Sequence, residues 1–166
     1  SNKNHQLALR VIKELKNRNI NVYLDVLGEG PLKSNLILQA KNLGISKRVC
    51  FHGNVDNTET YLHNAFCYLH TAKREAFGLA ILEAMAAGLP VVCTDGKGNR
   101  DILEDGVNGF MVWDSNPRVI SEKIQRLLKN FFLKNKMSDA SSKFAKKFDV
   151  KTYINKLIVL YNKSIS

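Results

Sequence analysis

The apolar positions change period several times along the chain, and each change marks a new element. Over residues 5–17, Leu7, Ala8, Val11, Ile12 and Leu15 recur at helical spacing, which predicts an amphipathic helix with one buried face. Residues 22–27 are short and nearly continuously apolar, which predicts a strand closed by Gly28. Pro31 opens a second helix, in which Leu32, Leu36, Ala40 and Leu43 keep the 3.6-residue period until Gly44 stops it. The alternation continues through a strand at 49–52, a short helix at 58–64, a strand at 66–70, a helix at about 78–87 and a strand at 90–93. Residues 109–113 add one more short strand. Asn116 and Pro117 supply a cap and a first-turn proline, and the pattern predicts helix from there to the C-terminus.

Strands this apolar, separated by helices and not by tight hairpins, predict a parallel sheet covered on both faces. The fold class is α/β, a doubly wound, Rossmann-like unit. No Gly/Ser-rich linker or internal repeat divides the chain, so residues 1–166 are expected to form a single domain.

Charge modifies this picture less than its sum suggests. The net charge of +10 invites a nucleic-acid reading, but residues 1–116 hold 13 basic and 12 acidic side chains, and residues 117–166 hold 12 basic and 3 acidic. Most of the cations are lysines, whereas bidentate recognition of phosphates and bases favours arginine. No nucleic-acid partner is expected, and the excess reads as a solvated helical surface. A peripheral membrane contact is the second reading, because Lys143, Lys146, Lys147 and Lys151 cluster near Phe144 and Phe148. Cys50, Cys67 and Cys93 sit in apolar runs without C-x-x-C pairing, as buried reduced thiols of a cytoplasmic protein would. The longest apolar stretch, 77–93, is interrupted by Glu83, Gly88 and Pro90 and is too short to span a bilayer. His5, His52, His63 and His70 show no ligand spacing, so no metal is expected.

Ligands of open parallel sheets bind at the carboxyl ends of the strands, which directs attention to loops 28–31, 53–56, 71–77 and 94–100. The first carries Gly28 and Gly30 but lacks the third glycine of a dinucleotide fingerprint, and a plain tight turn explains it equally well. Gly96-Lys97-Gly98 lacks the upstream glycine and the Ser/Thr of a P-loop. Segment 74–93 is richer. It places Glu75 in a loop, Gly78 at a helix start and Glu83 one turn further in. The free amides near Phe77, Gly78 and Leu79 suit a phosphate, and a carboxylate at Glu83 suits a neighbouring diol, a combination that suggests a nucleotide. Glu83 is flanked by Ile81, Leu82, Ala84 and Met85, where an unpaired carboxylate would be costly. A structural partner, such as a backbone cap or an arginine, remains open.

Glu75-x7-Glu83, with Phe77-Gly78 and the run from Glu83 through Gly88 and Pro90, resembles the E-x7-E signature of retaining, nucleotide-sugar-dependent glycosyltransferases of the GT-B fold. Gly28-x-Gly30-Pro31-Leu32, Phe51-x-Gly53-x-Val55 and the run 105–110 resemble further landmarks of that family in the same order, and 153–161 resembles its closing helix. The resemblance implies the donor-binding, C-terminal half of a two-domain enzyme. It implies that Glu83 holds the ribose hydroxyls and that Glu75 contacts and orients the donor sugar. Lys3 and the amides near Gly78 and Leu79 would hold the diphosphate, and the loop of Gly53, Asn54 and Val55 would lie near the base. The acceptor, a glycan or lipid-linked molecule, would sit on a separate N-terminal domain, and the leaving-group charge would be offset without a metal. Two departures are visible. The sequence starts after the point where the family has a strand before its first helix, which implies a fragment. The loop that usually reads Gly-Gly-x-x-Glu here reads Lys97-Gly98-Asn99-Arg100-Asp101. A nucleotide-sugar epimerase of the same architecture and a non-catalytic basic module are the competing readings.

Overall fold

The computed structural model describes residues 2–76 and 78–148. Helix α1 runs over His5–Asn17 and buries Leu7, Ala8, Val11, Ile12 and Leu15, the face that the apolar period marks, together with Leu9. Strand β1 follows at Leu24–Leu27, helix α2 at Lys33–Asn42, strand β2 at Val49–Gly53 and helix α3 at Thr58–Asn64. Strand β3 spans Tyr68–His70, helix α4 Leu79–Ala86, strand β4 Val91–Thr94 and strand β5 Gly109–Val112. Helices α5, Pro117–Lys129, and α6, Phe131–Ala145, complete the described part of the chain.

Every strand pairing among the described residues is parallel. β1 pairs with β2, with Asp25 opposite Cys50, and β4 lies between β3 and β5. The two sheets line one core. Leu24, Val49, Phe51, Leu69, Val92, Phe110 and Val112 pack with α1, α2 and α5 in a first apolar cluster. On the opposite face, Val91, Cys93 and Met111 pack with Ile81, Leu82 and Met85 of α4. Alternate residues of β4 and β5 therefore serve opposite faces, and both faces are covered as the parallel pattern requires. Gly109 lets the two strands approach, because a Cβ there would overlap the Val91 carbonyl oxygen. Among the described residues the strands form two separate sheets, ordered β1-β2 and β3-β4-β5.

Several expectations need correction. The helix predicted from 117 onward breaks at Asn130, whose extended backbone ends α5 and whose side chain accepts a hydrogen bond from the Leu133 amide to cap α6. Cys93 is buried, but Cys67 is only half-buried and Cys50 is exposed. The cause is alternation along β2: Val49 and Phe51 turn into the first cluster, which leaves Cys50 and His52 on the other face. Phe144 packs in part against the second cluster, with its ring tilted against exposed Phe148 at 5.3 Å between centroids. Lys151 and residues 153–161 lie outside the described residues. Among the described residues no helix is long and apolar enough to cross a membrane.

Candidate functional site

The site is assembled at the carboxyl end of β3. Residues 2–4 lie across the loop that leaves this strand: Lys73 N donates to Asn2 O (2.9 Å), Asn2 Nδ2 to Arg74 O (2.7 Å) and Thr71 Oγ1 to Lys3 O (3.0 Å). Asn4, left-handed at φ 51°, then turns the chain into α1. From the other side, the loop after β4 grips Glu75 by its backbone. Glu75 N donates to Gly96 O (2.9 Å) and Gly98 N donates to Glu75 O (3.1 Å). That loop is shaped by Asn99, which is completely buried. Its Oδ1 accepts from Gly96 N, and its Nδ2 donates to Thr94 O and Cys93 Sγ.

With its backbone clamped, the Glu75 side chain has little choice of direction, and only 14% of it is exposed. Oε1 accepts from the amide of Gly78 at 3.2 Å. Gly78 is the left-handed N-cap of α4 (φ 82°), and a Cβ there would also crowd Ile102. Oε2 lies 3.4 Å from Lys3 Nζ and 3.2 Å from His70 Nε2. The histidine approaches without the alignment of a hydrogen bond. Burial pushes the Glu75 carboxyl upward, but Lys3, the Gly78 amide and His70 outweigh it and hold the group below the usual carboxylate range. For His70 burial is the larger influence and overcomes the upward pull of Glu75, so its pKa falls below the ordinary value. The pair is thus an ionised carboxylate beside a neutral imidazole at neutral pH. The Tyr68 hydroxyl is pushed up to about 12, by burial first and then by Glu83 and Glu75.

Lys3, Glu75 and Gly78 therefore meet. The other candidates fall elsewhere. The buried neighbours of Glu83 occupy one face of α4, and Glu83 itself is exposed, without a hydrogen-bond or ion-pair partner among the described residues. The expectation that its apolar surroundings force a partner on it is overturned, because the helix turns it out to solvent. It borders a groove of about 290 Å³ between α3 and α4, with Thr58, Glu59, Leu62 and His63 opposite. Leu79 is exposed, and among the described residues the Leu79 and Ala80 amides find no acceptor. Gly28 and Gly53 form a separate contact, with Gly28 N donating to Gly53 O at 2.6 Å. Gly30 follows it, while Asn54 is exposed and Val55 half-buried. No described hydrogen bond joins this pair of loops to the Glu75 cluster. Phe77 lies outside the described residues.

Sequence reasoning missed His70 and Asn99. His70 is the last residue of β3, where the carboxyl-end rule points, one residue before the loop singled out there. Asn99 carries no signal, because its role depends on a fully buried turn. In the same loop, Arg100 binds both carboxylate oxygens of Asp95, at 2.8 and 2.6 Å.

A doubly wound α/β domain with an anionic side chain, a lysine and a helix N-terminus gathered at the carboxyl end of a strand defines the Rossmann-like class. The comparisons narrow this class. The family model for glycosyl transferases group 1 matches residues 1–147, and the chain belongs to that family. It is 33% identical over 118 residues to the lipopolysaccharide core biosynthesis glycosyltransferase LpsE of Rhizobium meliloti, covering 71% of this chain and 35% of LpsE. It is 29% identical over 148 residues to a Campylobacter jejuni N-acetylgalactosaminyltransferase whose name specifies a diphospho-undecaprenol acceptor, covering 89% of this chain and 40% of that enzyme. Anabaena HepE, solved in complex with UDP-glucose, superposes with a TM-score of 0.86 at 25% identity, over 98% of this chain and 46% of HepE. The chain thus spans less than half the length of each of these relatives.

Proposed function

We propose that this chain is the donor-binding domain of a retaining GT-B glycosyltransferase that moves a sugar from a nucleoside diphosphate to a glycan or lipid-linked acceptor. The observation that carries this reading is the convergence of Lys3, Glu75 and the N-terminus of α4 at the end of β3, with Glu83 one turn further along the helix. Glu75 already occupies the Gly78 amide, so the diphosphate meets the amides of Leu79 and Ala80 together with the Lys3 ammonium. These donors and the helix dipole stabilise the negative charge that grows on the leaving group, and no metal is needed for that purpose. Glu83, exposed beside the groove, accepts hydrogen bonds from the ribose hydroxyls. The ionised Glu75 faces the sugar and fixes its orientation. The loops of Gly28, Gly30, Gly53, Asn54 and Val55 present backbone close to the base. The UDP-glucose bound by HepE supports a uridine donor, and the acceptor named for the Campylobacter enzyme supports a lipid-linked glycan. Three unpaired cysteines suit a cytoplasmic setting.

Thermal unfolding tests the reading directly. UDP at a hundredfold excess over its dissociation constant raises Tm by about 8 °C, and Glu83→Ala removes the shift while leaving the Tm of the free protein unchanged, since Glu83 is exposed. An unchanged Tm with every common nucleoside diphosphate defeats the proposal.

A further inference from the structure

β1 and β2 turn three metal-ligating side chains to the sheet face opposite the first apolar cluster. Parallel pairing sets Asp25 beside Cys50, and His52 follows two residues later on the same face. His52 Nε2 lies 2.6 Å from Asp25 Oδ1. Its Nδ1 lies 3.9 Å from Cys50 Sγ and 3.3 Å from Tyr61 Oη of α3. One ligand atom from each of Asp25, Cys50 and His52 falls within 4.8 Å of the other two.

We propose that Asp25, Cys50 and His52 form a zinc site, outside the Lys3–Glu75–Gly78 cluster, with a fourth position open to water. The donor set selects the ion. One thiolate, one imidazole and one carboxylate match zinc, whereas magnesium and calcium take all-oxygen shells. A tetrahedral zinc ion holds such atoms about 3.5 Å apart, so Asp25 and His52 open slightly from their present contact and Cys50 Sγ moves inward. Two of these side chains are exposed and the third partly so, which leaves room for both adjustments. On binding, the Cys50 thiol gives its proton to solvent and Nε2 of His52 takes the metal. Nδ1 then carries the ring proton and donates it to Tyr61 Oη, the outer hydrogen bond that orients most metal-bound histidines. The tilted ring contact of Tyr61 with His52, at 4.7 Å between centroids, holds the imidazole in place for this. The bound ion clips β1 to β2 immediately before the Gly28–Gly53 contact. Ligand spacing along the chain does not show this site, because 25 residues separate Asp25 from Cys50 and only strand pairing joins them.

Cobalt(II) titration of the 166-residue protein is the test. A sulfur-to-cobalt charge-transfer band and visible d–d absorption are expected, with competition by zinc, and zinc raises Tm by about 8 °C at a hundredfold excess over its dissociation constant. Cys50→Ser abolishes the charge-transfer band, His52→Ala abolishes binding, and Tyr61→Phe weakens affinity about tenfold. Metal-free Tm values of the variants report whether they fold, and Cys67→Ser serves as the control that keeps the band. Glu83→Ala also keeps it, so failure here is distinct from failure of nucleotide binding. Absence of the band at saturating cobalt, or its persistence in Cys50→Ser, overturns the proposal.

Discussion

Glu75→Gln in the complete enzyme lowers kcat by about a thousandfold, with donor affinity changed by less than about threefold. Glutamine keeps an oxygen for the Gly78 amide, so α4 remains capped. What disappears is the negative charge that Lys3 and His70 face at 3.4 and 3.2 Å, and with it the field that, on the proposed function, orients the sugar. A group that acts on the reacting sugar lowers kcat and kcat/KM together. Glu83→Ala has the opposite profile, because a residue that holds the nucleotide in ground state and transition state alike raises KM and leaves kcat nearly unchanged. Steady-state kinetics with the donor varied separates the two. Equal effects of both substitutions on KM, with kcat intact, would remove the distinction between the two glutamates.

Gly98→Ala lowers the unfolding free energy by about 3 kcal/mol, and Tm by roughly 10 °C. The reason is proximity and not backbone conformation, since Gly98 is absent from the glycines with positive φ. An added methyl would overlap the carbonyl oxygens of Glu75 and Ala76, backbone atoms that cannot rotate aside. Relief requires the whole loop after β4 to withdraw from Glu75, which also releases the hydrogen bonds at Gly96 and Gly98. Gly30→Ala is the matched control, with nothing within 4 Å of its added carbon and an expected change below about 0.5 kcal/mol. Calorimetry of the two variants decides the matter, and a Gly98→Ala protein as stable as the Gly30→Ala protein refutes the steric account.

The regular elements were legible where period and punctuation agree. Helices α1 and α3 start and stop at the predicted residues, and β4 and β5 fall within one residue of theirs, because Gly, Asn and Pro bracket continuous apolar runs. Asn130 was not legible as a break. Phe131, Phe132 and Leu133 continue the apolar pattern beyond it, and only the backbone turn converts the asparagine into a cap. Glu75, Gly78 and Lys3 could be gathered from motif and position. The direction in which Glu83 points could not, because a one-residue rotation on α4 separates burial from full exposure. The burial of His70 and the proximity of Asp25 to His52 are products of strand pairing that no local window contains.

The division of the strands into a pair and a triple has a consequence for how molecules of this chain meet one another. β1 and β3 each pair with a single strand, so each carries on its other side a row of amide and carbonyl groups that no ladder among the described residues covers. Uncovered rows of this kind are templates for a strand from a second molecule. Neither row is guarded by proline, and Asp25 is the single charged residue in the two strands. Sedimentation velocity on the 166-residue protein is therefore expected to show mass rising with concentration, and a strictly monomeric boundary across that range would mean the two rows are already closed.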